Sequence, residues 1–429
     1  MQILYFDNVR GFESTYIDLK SVNFFVGENS TGKTSILKLI AILSSVGFWR
    51  YGEFGDAETS LGGFEDIVTT PRNNAKDYFE VGIFADNHSD NEWSAFKFRF
   101  INKDNFPFLK ELCYCNEWVN LQVIVDGKFI RYRYVVKNEI LELQQKDFKA
   151  WVEKNGLNEF AFSKAPVEYD SILHILDWFF GEMMTKIGKQ INGLTSLSRR
   201  GLFLSPFVWI SPLRNEPQRT YNHQGLIYDP KGSHSPSVLK EILLGPNVKY
   251  ILNRFGSDSG LYDDITVNDI SDSENSNRFE LLVSINGNAR SIVNVGFGVS
   301  QVLPIVIETI SRQDKLWFGM QSPEVHLHPR AQAALGDFIF KAYINDKQKF
   351  VIETHSDFII DRFRIRMSRA KREKIQNTDD LAQVIFFSNS EKGNCLDAIL
   401  INSDGSYPED QPKEFRNFFV REQLEIISI

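Results

Sequence analysis

The sequence predicts an α/β fold, and three observations carry that prediction. Residues 22–46 read as an apolar strand, a glycine-containing loop and an amphipathic helix in immediate succession. Beyond residue 290, the strand-like runs KLWFGM, KFVIET and AQVIFFS are separated by helical patterns such as RAQAALGDFIFKAYI, the alternation expected of a sheet covered by helices. The first thirty residues add the short β-branched and aromatic runs ILYFDNV, STYIDL and VNFFVG, parted by turn-like residues.

Taken in order, VNFFVG leads into GENSTGKTS and then ILKLIAILSSV, whose apolar spacing suits a helix packed on a sheet. Residues 53–200 change character. DYFEVGIFA, SAFKFRFI, LQVIVDG and FIRYRYVV read as strands, and SILHILDWFFGEMMTKIGKQI as one amphipathic helix. The region reads as an α+β insertion, a lid or arm, between an N-terminal part at 1–52 and a C-terminal part at 201–429. Residues 253–278 are polar and acidic and predict a mobile loop. RFELLVSINGNARSIVNV then predicts a hairpin about Asn286-Gly287.

Composition narrows the class. The 429 residues are 42% hydrophobic and 24% charged, enough for a large core and two lobes. The net charge of -8 gives no whole-protein attraction to nucleic acid, although a local basic face is compatible with it. Three cysteines, Cys113, Cys115 and Cys395, are too few for a disulfide framework and read as free thiols in a reducing compartment. With no basic and apolar leader and no bilayer-length apolar run, the expectation is a cytoplasmic protein without a membrane partner.

Gly27-x-x-x-x-Gly32-Lys33-Thr34 matches the phosphate-binding loop in full. Its glycines let backbone N–H groups curl around a phosphate, and the following helix directs its positive end at the same anion. Lys33 is expected to reach the β- and γ-phosphates, and the Thr34 hydroxyl to ligate Mg2+. Gly27, Asn29, Ser30, Thr31, Gly32, Lys33, Thr34 and Ser35 are therefore the expected ATP contacts.

Downstream, the turn Gly296-Phe297-Gly298 opens a second helix and so a second anion-facing N-terminus. About twenty residues later a strand ends at Met320-Gln321, followed by Ser322-Pro323-Glu324, and about thirty residues beyond that comes Thr354-His355-Ser356. In order and spacing these segments resemble ABC-type ATPases of the branch that includes SMC, RecF and the OLD-family proteins. GFGVSQ looks like the signature turn, PEVHLHPRAQ like the acidic-strand and dimerisation loop, and ETHSD like the switch-histidine motif. The likeness is greatest to the OLD-like AAA ATPases of bacterial anti-phage modules, through NVRGF, ISPLRNEPQRTY and SYPEDQPKEFRNFF as well. It covers residues 1–50 and 200–429.

The resemblance implies an ABC-type P-loop NTPase head with an N-terminal mixed β-sheet lobe. It further implies two ATP molecules sandwiched in a homodimer or higher homo-oligomer. Gly296, Gly298, Ser300 and Gln301 would supply the signature contacts, although Gly298 stands where many such proteins carry serine. His355 would position the γ-phosphate. At the acidic strand Gln321 offers Mg2+ a neutral oxygen, Ser322 replaces the usual glutamate, and Glu324 is the nearest carboxylate. Glu324 is thus the expected catalytic acid, acting with His355 and Lys33, and turnover is expected to be slow. His326-x-His328 reads as a loop pairing across the dimer, with a metal role as the alternative.

By the same resemblance the ATPase would be a sensor or scaffold for a separate effector, a nuclease or toxin, in phage defence. The alternative is a RecF- or SMC-like repair ATPase that binds DNA or RNA through the basic run at 362–374. A small-molecule kinase would leave the signature and switch segments unexplained.

Overall fold

The computed structural model describes residues 2–69, 76–87, 92–136, 145–187, 207–222, 227–270, 277–312, 316–374, 381–391 and 393–418. The first strands are β1 (Gln2–Asp7), β2 (Thr15–Leu19) and β3 (Val22–Gly27), as the apolar runs predict. The chain divides into two compact units, one of residues 1–20, 28–207 and 387–396, the other of 21–27, 208–386 and 397–429.

The first unit is built on an eight-stranded antiparallel sheet. It adds β4 (Tyr78–Asn87), β5 (Glu92–Lys103), β6 (Phe106–Asn116), β7 (Val119–Asp126), β8 (Phe129–Val136) and β9 (Ser163–Glu168) in the order β2-β1-β4-β5-β6-β7-β8-β9. The stretch read as an insertion thus shares one sheet with the N-terminus, because β4 pairs with β1 from Gln2↔Ala85 to Asp7↔Glu80. Period-2 alternation sorts the faces of this sheet. On β5, Phe96, Phe98 and Phe100 line one face against Phe48, Trp49, Phe54 and Phe79. Each such ring, when fully buried, contributes on the order of 2 kcal/mol.

Lys97 and Arg99 alternate with those rings. Arg99 pairs with Glu80 at 2.7 Å and Glu111 at 3.3 Å, and Lys97 donates to the Val152 carbonyl at 2.9 Å. Strand β6 escapes the sequence pattern because Pro107 and the pair Lys110-Glu111 interrupt its apolar run. Buried ion pairing makes Glu111 admissible there. The same strand buries Cys113 and Cys115 completely, whereas Cys395 is exposed. Burial, followed by the neighbouring Glu111, pushes the Cys113 thiol up to about 12. The amphipathic pattern after residue 170 forms a helix at Ile172–Ile187; its last predicted turn lies outside the described residues.

The second unit holds β10 (Phe207–Ile210), β11 (Tyr221–Asn222), β12 (Asp264–Ile270), β13 (Arg278–Ile285), β14 (Asn288–Ser291), β15 (Trp317–Gln321) and β16 (Lys349–Glu353). Strands β17 (Ala382–Ser390) and β18 (Gly393–Ile401) complete a six-stranded sheet ordered β10-β15-β16-β3-β17-β18. Strands β15, β16 and β3 are parallel neighbours. They read as continuous apolar runs because they lie in the main core, with Val22, Phe24, Phe318, Met320, Phe350 and Ile352 all fully buried. One polar pair is admitted: Asn23 donates to the Phe350 carbonyl at 3.1 Å and accepts from Gln383 at 2.8 Å. The Asn286-Gly287 hairpin forms as predicted, with φ of 51° and 75° at the two turn residues.

The loop expected at 253–278 is largely structured. Residues Pro246–Ser259 form a helix closed by Gly260 at φ 71°, and Asp264–Ile270 is β12. Both elements are polar because only one face is covered: Leu252, Phe255, Tyr262 and Ile265 reach the core while the acids face outward. Residues 271–276 lie outside the described residues. Among the described residues no helix is long and apolar enough to cross a membrane.

Candidate functional site

The chain leaves β3 at Gly27 and enters the phosphate-loop sequence, with φ of 147° at Gly27, 65° at Ser30 and 90° at Gly32. Thr31 Oγ1 and Lys33 Nζ both donate to the Glu28 carbonyl, at 2.8 and 2.5 Å, which closes the loop on itself. Asn29 and Ser30 are exposed, Thr34 and Ser35 half-buried, and Lys33 buried. Helix Lys33–Leu43 follows, anchored by Ile36, Leu37, Ile40 and Leu43. Gly32 is required twice over: a Cβ there would lie 2.4 Å from the Phe12 ring, and its backbone is left-handed. Asn394 reinforces this floor by donating to the Arg10 carbonyl at 2.7 Å.

The second glycine turn is built differently. Gly296 caps helix Phe297–Ser311 at φ -58°, and no positive φ is needed. Gly298 is buried, and a Cβ on it would sit 2.8 Å from the backbone oxygen of His326. That contact accounts for glycine where the resemblance leads one to expect serine. Phe297 remains exposed, its ring edge-on to His326 at 4.9 Å. Ser300 Oγ donates to the Phe297 carbonyl at 2.9 Å and Gln301 Nε2 to the Arg214 carbonyl at 3.4 Å; both side chains are buried and turned toward their own unit.

Parallel pairing brings the ends of β15, β16 and β3 into register, Gln321 opposite Glu353 and Glu353 opposite Phe25. Ser322 then turns at φ 44° while its N–H donates to the Glu353 carbonyl at 2.8 Å. The turn returns Glu324 to the end of β16. There its two carboxylate oxygens accept from Thr354 Oγ1 and from the His355 N–H, each at 2.8 Å. The His355 imidazole is exposed and Thr354 fully buried. His328 accepts from the Ala331 N–H as the cap of helix Pro329–Asp346, and Ser356 caps helix Asp357–Arg372 by accepting from Ile359.

Arg214, in the segment after β10, is a residue that sequence reasoning gave no role. It is buried, and its guanidinium donates to the Gln301 carbonyl at 3.1 Å and the Ser322 carbonyl at 3.3 Å. Burial pulls it down to about 10, with the charge of Glu324 acting in the opposite direction. Nothing in the local sequence distinguishes it from a surface arginine.

Comparison with known families matches residues 2–166 and 241–360 to the AAA ATPase domain, more than half of the chain. The chain belongs to that family. As an AAA ATPase domain it binds ATP, the ligand its phosphate loop calls for. No curated protein matches the chain. Among solved structures, this AAA ATPase domain is similar to an SMC head bound to the C-terminal winged-helix domain of ScpA, at 11% identity and a TM-score of 0.46, covering 93% of this chain and 97% of that one. It is also similar to the SMC head domain from Thermotoga maritima, at 9% identity and a TM-score of 0.39 over 92% and 97%. An SMC head with an extended coiled coil from Pyrococcus furiosus gives 11% identity and 0.41 over 100% and 99%.

The basic run of this ATPase domain lies on helix Asp357–Arg372, and its first three arginines have internal partners. Arg366 makes a bidentate pair with Asp337, both bonds at 2.7 Å, and Arg362 approaches the same carboxylate at 3.5 Å. Arg364 pairs with Asp361 and donates to the Gly405 carbonyl, each at 2.7 Å.

Proposed function

We propose that this AAA ATPase domain works as an ABC-type head. ATP held by Gly27 to Ser35 of one copy meets the signature helix of a second copy, and slow hydrolysis is driven by Glu324. The observation that supports this reading is the pair of hydrogen bonds from Thr354 and His355 to Glu324. They join the acid and the switch-histidine segment at the ends of two adjacent parallel strands. With two fixed donors, the carboxylate is oriented while each oxygen keeps a lone pair to accept a proton from water. Lys33 is the group for the β- and γ-phosphates, and the exposed His355 is the switch residue implied by the resemblance. Among the signature residues, the backbone N–H groups of Gly296 to Gly298 are the donors offered to an anion, since Ser300 and Gln301 are turned inward.

Mg2+ takes oxygen ligands, and the hydroxyl of Thr34 and the amide oxygen of Gln321 are of that class; when bound, it neutralises charge on the β- and γ-phosphates. A neutral ligand in place of the usual carboxylate favours holding ATP over rapid turnover. On this reading the nucleotide-gated dimer is a sensor or scaffold for a separate effector, a nuclease or toxin, of phage defence. Because Arg362, Arg364 and Arg366 pair within the fold, the alternative of direct DNA or RNA binding through the 362–374 run falls mainly to Arg369, Lys371, Arg372 and Lys374.

The test is binding of a fluorescent ATP analogue, phosphate release and solution mass, each with and without Mg2+ and ATP. Lys33→Ala is expected to abolish ATP-dependent assembly. Glu324→Gln is expected to lower phosphate release at least about 100-fold with ATP binding retained. Assembly that ignores ATP, or unchanged hydrolysis in Glu324→Gln, would remove the mechanism.

A further inference from the structure

Two of the contacts between the signature helix and the Glu324 turn fall on backbone carbonyls of the turn. At the first, Gly298 lies against the His326 carbonyl. The second is Arg214, whose guanidinium reaches the Gln301 carbonyl on the helix and the Ser322 carbonyl at the start of the turn. The bond is mutual on the helix side, because the Gln301 amide donates back to the Arg214 carbonyl. Pro304 lies within the same helix and has no N–H for the Ser300 carbonyl, which weakens the helical ladder one residue before Gln301.

A buried arginine ordinarily has a carboxylate partner, because an uncompensated buried charge is costly. Arg214 has none within hydrogen-bonding distance among the described residues, and its Nε has no partner there either. An apolar side chain would pack this junction more cheaply. What the guanidinium provides is a planar fork with donors pointing at two carbonyls on different segments. Ser322, one of its acceptors, is held at φ 44°, a strained conformation for a non-glycine residue. The orientation of Glu324, two residues on, follows from that turn.

We propose that Arg214 is a positioning residue that couples the signature helix to Glu324, so that seating of the helix on a second copy's nucleotide is transmitted to the carboxylate that activates water. The inference rests on the reading of Glu324 given above. Arg214 would act through the Gln301 and Ser322 carbonyls and Glu324, not on the nucleotide itself.

The experiment is a double-mutant cycle on the full chain with Mg-ATP, reading kcat, KM, analogue affinity and melting temperature. Arg214→Met is expected to lower kcat by up to about 100-fold, the scale of a misplaced catalytic group, with KM and analogue affinity changed less than about threefold. Arg214→Lys, which keeps the charge and one donor, recovers part of kcat. Arg214→Met combined with Glu324→Gln falls no lower than Glu324→Gln alone, because the arginine acts through the acid. Unchanged kcat in Arg214→Met, or losses that multiply in full, would overturn the proposal. Should Arg214→Met fail to fold, Arg214→Lys takes its place in the cycle with the same two readings.

Failure of the Glu324 reading looks different: Glu324→Gln alone then hydrolyses at the wild-type rate. In that event the coupling is judged by hydrogen exchange. Segments 297–303 and 321–327 are expected to loosen together in the Arg214 variant, and loosening of only one of them refutes the coupling.

Discussion

Two glycine-marked helix starts, at Gly32 and at Gly296 to Gly298, are shaped in opposite ways. The phosphate loop needs its glycines for backbone conformation: three residues between 27 and 32 have positive φ, and Gly32 also has the Phe12 ring against it. The turn at Gly296 to Gly298 needs no unusual dihedral. Its one constrained glycine, Gly298, is constrained by a backbone oxygen belonging to a segment 28 residues later. A loop whose shape is locally encoded can be recognised from a short pattern, whereas a turn shaped by a distant neighbour varies with that neighbour. This is why the first motif is legible as a complete pattern in the sequence and the second is not.

Alanine at each glycine tests the difference. Gly32→Ala carries the largest penalty, since a left-handed residue costs about 1–2 kcal/mol and the clash with Phe12 roughly 1–3 kcal/mol more. Thermal or urea unfolding should register that loss, and ATP-analogue binding should disappear with it. Gly298→Ala comes next. Overpacking against the His326 carbonyl costs roughly 1–3 kcal/mol, offset by about 1 kcal/mol of helix propensity. ATP affinity should remain while ATP-dependent assembly weakens, and equal loss of both would show that the two helix starts do not divide their labour. Gly296→Ala is the smallest, within about 0.5 kcal/mol in melting experiments, because nothing lies within 4 Å of a Cβ at that cap.

A fourth variant sharpens the comparison at the other end of the signature helix. Glu308 is buried between His234 Nε2 at 2.6 Å and Arg312 Nε at 2.7 Å. Burial raises its carboxyl, but those two partners outweigh it and hold the group below its ordinary value. The resulting stability is complete above the normal carboxylate range and is lost as pH falls through the lowered value. The melting-temperature gap between wild type and Glu308→Gln should therefore narrow on acidification and close at the lowest pH.

The sequence made the phosphate loop, the parallel strands and the Asn286-Gly287 hairpin legible because each is a local pattern. The bonds between Glu324 and the Thr354-His355 segment depend on β15 and β16 being neighbours, which spacing alone does not determine. Arg214 stayed hidden because burial is invisible in a single residue, and β6 because its charges are neutralised from β5 and β7. Residues 253–270 were misread for a related reason: a helix and a strand with one covered face have the composition of a loop.

The cysteines offer a practical handle. Cys113 and Cys115 are sealed inside the sheet, and the raised Cys113 thiol holds little thiolate at neutral pH, whereas Cys395 stands exposed on β18 near the Ser390 hydroxyl. A maleimide dye added to the native chain should therefore attach at one place without engineering. Donor- and acceptor-labelled preparations, mixed and titrated with ATP, would then turn association of two copies into a ratio of colours.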